Sequence, residues 1–483
     1  MGNSGFVKKF FQFSYGNLVN LLLGFITAPV LTRIFLPADY GMQSLFTTVL
    51  NFLLILVLLG FDQSFLRFFY KVPEEERPGL TRKLTKWSSL ASFAFGIIFF
   101  ALGGVVVPAV FDRYDFWITI FISINLVLGA LNRFLTLAVR VQQHAKTYSN
   151  IQIIAKVTSF LLMVAFAFTF GANVYAILFA TTVSALVVAA YSCYKEREYW
   201  HKVITDKTPC NSVSISEIIK YGLPFVPNAM MVWLMNSVDK LSLSAWSGLE
   251  QVGIYSAANT FIVLLTLAQT SFTTFWYPVV YEKYEKNPDE KAFFIKAHDM
   301  MAIIMFTVTF GLIFFRHIIA LLLGKNYWQA ADVMPFLIFM PLYTAISDIT
   351  AIGINIKGKS RYHLLITGVA AVLNISGNML LIPKYGAIGA ATATGISYIV
   401  YYAMRTIISE KFMKIGFDKI KITISTIILI IVAYLSSYLN LSNLSYGIIA
   451  GAYLIVLFIY RKEVKWVFGY AKSFLIKPPS KNK

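Results

Sequence analysis

Charge is what this sequence has least of. Asp, Glu, Lys and Arg make up 13% of its 483 residues, about half the share usual in soluble domains. Apolar residues make up 58% and the mean hydropathy is +0.67. So little charge cannot cover a water-soluble globule of this length, so the chain reads as a multi-spanning membrane protein. Cysteine is nearly absent. Cys193 and Cys210 fit no metal or redox spacing and are expected to be free thiols without a role. The five histidines, His144, His201, His298, His317 and His363, are scattered over helix ends and loops, which gives a metal centre no support. There is no GxxxxGK[ST], and no GxGxxG follows a strand, so ATP-driven transport by this chain alone is not expected. No cofactor is expected either. Acidic residues number 23 against 42 basic ones, a net charge of +19. Basic residues gather in 63–86, in 194–217 and after Tyr460, where each cation beside an anionic inner leaflet gains about 1 kcal/mol. Membrane lipid is therefore the expected contact. The soluble basic face that nucleic-acid binding needs is missing.

Apolar runs of about 20 residues predict fourteen helices, at 10–31, 43–62, 87–110, 116–138, 150–171, 174–193, 218–239, 253–280, 298–323, 333–355, 363–382, 386–406, 422–438 and 445–460. Met1 to Lys9 is a basic lead-in to an apolar run of about 22 residues, too long for a cleaved signal. Phe10 to Leu31 is expected to stay in the mature chain. An even number of spans puts both termini on one side. With that side cytoplasmic, the outer turns hold Arg33, Arg113, Lys240, Arg316, Lys325 and Lys384, Arg133 and Lys156 lie inside helices, and all remaining basic residues are inside. The bias favours a cell-membrane protein with cytoplasmic termini. The outer turns are all short, so a membrane glycosyltransferase or polymerase, which needs a substantial loop for its catalytic groups, is disfavoured. The longest connector includes PEEERPGLTRK, Pro73 to Lys83, and reads as a solvated turn.

A shift of 212 to 214 residues aligns Gly41 with Gly253, Tyr148 with Tyr362 and Ala176 with Ala390. Tyr221 to Ala258 thus starts a second half, as Tyr15 starts the first. The expected architecture is all-α and membrane-integral: two pseudo-symmetric six-helix lobes, 1–200 and 201–415, around a central cavity. Two extra helices in 416–462 and a basic cytoplasmic tail, 463–483, complete it.

Several helices carry polar residues on one face. The first has Asn17, Asn20, Gly24 and Thr27; the fourth has Asn125, Asn132, Thr136, Arg140 and Gln143. The seventh has Asn228, Val232, Asn236 and Asp239, the eighth Asn259, Thr266, Thr270 and Thr273, and the tenth Thr344, Asp348, Ala351 and Asn355. Such groups either face a cleft or bond neighbouring helices, a contribution of about 0.6–2 kcal/mol each. Charges are more telling, because an Arg, Lys or Asp at mid-membrane costs at least about 2.5–3.5 kcal/mol. Arg133, Asp348 and Lys156 stand deepest, although Lys156 is near enough to a helix end to snorkel. Arg33, Asp239 and Lys240 lie at outer ends. Asp62 lies at the inner end of the second helix, where a helix-end role competes with ion coupling.

LTRIFLPADYG from Leu31, GFDQSFLRFFY from Gly60 and VDKLSLSAWSGLEQVGIYSAA from Val238 resemble the Wzx-type flippases, polysaccharide biosynthesis proteins of the multidrug/oligosaccharidyl-lipid/polysaccharide exporter superfamily. The resemblance covers about residues 5–410. It implies a central cationic cavity and a substrate of one oligosaccharide repeat on a polyprenyl (undecaprenyl) diphosphate, moved to the outer leaflet for surface-polysaccharide assembly. It also implies a proton or sodium gradient as the energy source, and a polymerase and chain-length regulator as partners. On this chain the diphosphate would meet Arg33, Arg133, Arg140, Lys156 and Lys240, because guanidinium forks pair phosphate oxygens. The sugars would meet Asn17, Asn20, Asn132, Asn228 and Asn236. Asp62, Asp239 and Asp348 are the coupling candidates. A flippase for lipid II or another lipid-linked precursor, and an ion-coupled multidrug antiporter, are the alternatives.

Overall fold

The apolar runs fold as helices because a spanning segment must satisfy its own backbone hydrogen bonds. The computed structural model describes residues 19, 23–112, 114–206, 208–287, 290–439 and 442–466, and among them no strand occurs. Eleven described helices are long and apolar enough to cross a membrane, beside two shorter apolar helices, Leu23–Ile34 and Tyr446–Ile459. The chain is a multi-pass membrane protein. It divides into two compact units, Met1–Ser256 with Leu323–Asn326, and Ala257–Leu322 with Tyr327–Lys483.

The first unit contains α1 (Leu23–Ile34), α2 (Pro37–Leu58), α3 (Phe61–Phe68), α4 (Arg77–Phe111), α5 (Phe116–Val141), α6 (Ala145–Phe170), α7 (Val174–Lys195), α8 (Arg197–Thr205), α9 (Ile215–Gly222) and α10 (Phe225–Ser247). α4 packs on α5, α5 on α7 and α7 on α6. Starts are fixed by side chains: Asp115 accepts from the backbone N–H of Trp117 and Ile118, and Ser214 with Glu217 forms a capping box on α9.

The run expected at 43–62 ends early. Leu59 and Gly60 both take positive φ, 47° and 74°, which turns the chain off the α2 axis into α3. A Cβ on Gly60 would stand 2.1 Å from the Gly222 carbonyl oxygen, so only glycine lets α3 and α9 approach this closely. The single span expected at 218–239 likewise breaks between α9 and α10, at Leu223 and Pro224. Near the end of the unit, α2 meets the first turn of α11 (Leu249–Lys286). A Cβ on Gly253 would fall 1.9 Å from the Pro37 oxygen, and one on Gly41 2.0 Å from the Leu249 oxygen. Ser44 and Ser256 share a hydrogen bond of 2.9 Å between hydroxyls.

The connectors 63–86 and 194–217 are not solvated loops. Phe61, Phe65, Phe68 and Phe69 bury their rings with Phe134, Leu137, Val141, Cys210, Val213 and Ile218. A fully buried phenylalanine stabilises by about 2 kcal/mol, so this cluster holds α3 on α5. Arg82 donates to the carbonyls of Asp206 and Thr208, and Lys83 to that of Val213 at 3.0 Å. These two cations are spent on backbone rather than lipid. Burial pushes the Cys210 thiol above its ordinary range and the Tyr199 hydroxyl up to about 12. Both cysteines are free.

The second unit takes in the rest of α11, then α12 (Lys291–Leu321), α13 (Ala330–Leu337), α14 (Phe339–Thr350), α15 (Ile352–Ile356), α16 (Arg361–Phe412), α17 (Lys419–Tyr438) and α18 (Ser442–Ile459). The tenth expected span, 333–355, is therefore three pieces. The eleventh and twelfth are two helices, as expected, joined without a loop at a sharp kink at Gly386 (φ 53°, ψ −131°) and labelled together as α16. α14 packs on α16 and α12, and α13 on α16 and α17. A buried polar string ties α12 to the last helices. His298 contacts Asp299 and Tyr402, and Lys421 reaches Asp299 at 3.3 Å and Glu463 at 3.2 Å.

Candidate functional site

The turn at Gly60 brings Asp62, on α3, beside the middle of α5. There the Arg133 guanidinium donates through Nη2 to Asp62 Oδ2 at 2.6 Å, and Gln63 Nε2 approaches the same oxygen at 3.3 Å. The arginine side chain is 49% exposed and the aspartate 12%. A guanidinium carries five N–H donors in a flat fork, and this one is held at one edge while the rest opens onto a cavity of about 710 Å³.

The cavity lies wholly within the first unit. Five amide side chains line it: Asn51 from α2, Gln63 from α3, Asn132 from α5, Gln152 from α6 and Asn228 from α10. Thr136 and apolar groups such as Leu54 and Phe225 complete the wall. Asn132 donates to the Ala185 carbonyl at 3.0 Å, which fixes the amide, and its Oδ1 is buried without a hydrogen-bond partner. Amides both donate and accept, so the lining suits a polyhydroxylated ligand, and the arginine fork suits an oxyanion.

Of the residues singled out in the sequence, Asp62, Asn132, Arg133 and Asn228 meet here. Arg33, at the end of α1, Arg140, in the last turn of α5, and Lys156, on α6, are exposed and do not line the cavity. Asn236 is exposed and bonds the Val232 carbonyl at 2.9 Å. Asp239 is buried and accepts from the Tyr255 hydroxyl at 2.6 Å, beside the half-buried Lys240. Asn17 and Asn20 lie outside the described residues. Asn125, on the same α5 face as Asn132, is buried and donates to Thr182 at 2.7 Å, so it links two helices.

Asp348 belongs to the second unit. Arg405 donates to it at 2.9 Å, and Gln269 and Thr273 each donate at 2.7 Å. The two charged side chains are 6% and 7% exposed. The sequence reading missed Arg405 because it placed the helix end at 406, whereas α16 runs on to Phe412. It also missed Asn51, Gln63 and Gln152. Gln63 was within reach, since it follows Asp62 in GFDQSFLRFFY, but which amides share a cavity is decided by long-range packing.

Comparison with known proteins places this all-helical membrane chain. The sequence profile of the polysaccharide biosynthesis protein family matches residues 6–283. The chain belongs to that family. A relative from Methanocaldococcus jannaschii, an uncharacterized membrane protein, is 22% identical over 415 residues, covering 79% of this chain and 81% of its own. Among solved structures, the fold is similar to the lipid II flippase MurJ in an inward closed conformation. The TM-score is 0.66 at 16% identity, over 94% of this chain and 99% of that one. An inward-facing multidrug resistance MATE family transporter of the MOP superfamily gives a TM-score of 0.62 at 16% identity, over 83% and 94%. The MATE transporter VcmN of Vibrio cholerae gives 0.55 at 15%, over 85% and 98%. The chain thus shares its fold with MurJ and these MATE transporters.

Proposed function

We propose that the protein is a flippase that moves a polyprenyl-diphosphate-linked oligosaccharide repeat from the cytoplasmic to the outer leaflet by alternating access, for surface-polysaccharide assembly. The observation that carries this reading is Arg133, held at one edge by Asp62 and half exposed to a cavity lined by five amides. A diphosphate that leaves water needs cationic donors in place, and a fork already oriented by a carboxylate loses little side-chain freedom on binding. The amides then take the sugar hydroxyls. Membership of the polysaccharide biosynthesis protein family favours a sugar-bearing substrate.

The remaining cations, Arg33, Arg140, Lys156 and Lys240, extend the path of the headgroup in this proposal. Coupling to a proton or sodium gradient is part of it, with Asp62, Asp239 and Asp348 as the candidate carboxylates. Release requires that the substrate bind the two access states with different affinity. The Lys and Arg residues in 63–86 and 194–217 support cytoplasmic termini, since the rule counts cations and not net charge.

Reconstituted protein tests the reading. Proteoliposomes containing a fluorescent polyprenyl-diphosphate oligosaccharide are expected to show protein-dependent movement that Arg133→Ala abolishes. Movement of lipid II alone reassigns the substrate. No movement of any sugar lipid, beside gradient-driven export of organic cations, overturns the flippase reading.

A further inference from the structure

A second hollow, of about 770 Å³, lies past the C-terminal end of α5, where the α5–α6 turn faces the α7–α8 junction. It shares no residue with the Arg133 cavity. Four cations line it: Lys146 at the start of α6, Lys195 at the end of α7, and Arg197 and Lys202 on α8. Its two carboxylates are not equivalent. Glu196 is 6% exposed and paired with His144 at 2.7 Å, which leaves Glu198 against four cations. Among the described residues none of the four has a carboxylate within 4 Å. Two helix starts open here as well, and neither His144 before α6 nor Glu196 before α8 caps its helix with a side-chain bond. The ends of α5 and α7 meet the same hollow, so the helix dipoles offset one another and the four side-chain cations set its charge.

The surroundings decide what kind of anion fits. α7 crosses the membrane and ends at Lys195, with Leu186 51% exposed along it. Tyr194, which lines the hollow, is 64% exposed and lies under both Lys195 and Arg197 in cation–π contacts. Ile204 on α8 is 74% exposed. A ligand with its phosphate among the four cations has apolar surface and an aromatic belt residue at its side, which suits a lipid and offers nothing to a free phosphate.

We infer that this hollow is a saturable site for the headgroup of an anionic phospholipid, distinct from diffuse attraction between basic loops and the membrane. The inference needs only the membrane-spanning fold and stands apart from the transport reading.

Native mass spectrometry of the full-length protein in detergent, titrated with phosphatidylglycerol or phosphatidylcholine, tests it. Lys146 and Lys202 are exposed, so Lys146→Gln with Lys202→Gln is expected to fold. Each cation lost should weaken phosphatidylglycerol binding about fivefold, on the order of 25-fold for the pair, with phosphatidylcholine unaffected. Lys411→Gln with Lys414→Gln, exposed lysines of the second unit, should leave the tight phosphatidylglycerol site intact. An equal loss in that control pair means diffuse attraction and overturns the inference, as does undiminished binding to the Lys146/Lys202 variant. Displacement of phosphatidylglycerol by millimolar inorganic phosphate overturns the assignment to a lipid.

Discussion

Each unit of this protein joins two helices with an arginine–aspartate pair, and the two pairs live in opposite surroundings. Arg405 and Asp348 are 6% and 7% exposed, and Gln269, Thr273 and Ser347 take up further bonding positions. Arg133 and Asp62 are 49% and 12% exposed and open onto a cavity. The first pair is closed off inside the protein, with Arg405 Nη1 bonded to both Asp348 and Ser347, although its buried Nε has no partner. The second has donors to spare. A charge inside a membrane segment is costly in both places, so the cost alone does not distinguish packing from binding; what separates them is the number of donors still open to a ligand.

The comparison breaks most visibly in stability. Arg405→Ala leaves Asp348 buried without its counterion, a loss of about 3–5 kcal/mol, to be seen as a large drop in thermal unfolding midpoint of the purified protein. Replacing both partners, Asp348→Leu with Arg405→Met, should recover most of that loss, because an apolar pair of similar volume carries no desolvation penalty. Gly60→Ala comes next. Positive φ together with the 2.1 Å approach to Gly222 costs about 2–3 kcal/mol, and it should also displace Asp62 and so impair transport.

Arg133→Ala reverses the pattern. Arg133 is half exposed and Asp62, 12% exposed, still lines the cavity, so the stability cost is smaller than for Arg405, about 1–2 kcal/mol, whereas transport of a diphosphate lipid should fall at least about tenfold, with Arg133→Lys intermediate because it loses the fork. Asn125→Ala breaks an interhelical bond and costs about 0.6–2 kcal/mol, with little effect on transport, even though Asn125 shares a face with Asn132. Smallest of all is a chemical effect. The buried Cys210 thiol, its ionisation pushed upward by burial, should alkylate slowly at pH 8 in folded protein and quickly after denaturation.

Most of the spanning helices were legible because an apolar run of about 20 residues admits one structure in lipid. The breaks were not. Helices as short as α3, α8 and α9 give too few turns for a pattern: α3 and α8 read mostly as loop and α9 as the start of the span at 218–239; the aromatic cluster that buries α3 and α9 joins Phe65 to Phe134 and Ile218, contacts across about 70 and 150 residues. Gly41 touches Gly253, and Ser44 bonds Ser256, so residues that the 212-residue offset matches also meet. In the site, Arg133 stands out through its cost in a helix, and Asp62 reads as a helix end or a coupling carboxylate, not as the partner of Arg133. Their pairing depends on the turn at Gly60, which no local pattern announces. Lys156, Arg140 and Arg33 carried the same sequence signal as Arg133, yet the structure leaves them outside the cavity.

The most direct test of the central claim is equilibrium binding of a short-chain polyprenyl-diphosphate oligosaccharide to purified wild type and Arg133→Ala, followed by isothermal calorimetry in detergent. The account predicts a loss of at least about tenfold in affinity for the variant, its unfolding midpoint lowered less than in Arg405→Ala, and little difference between the two proteins for the same oligosaccharide without its diphosphate. Equal affinity of wild type and variant for the diphosphate ligand would contradict it.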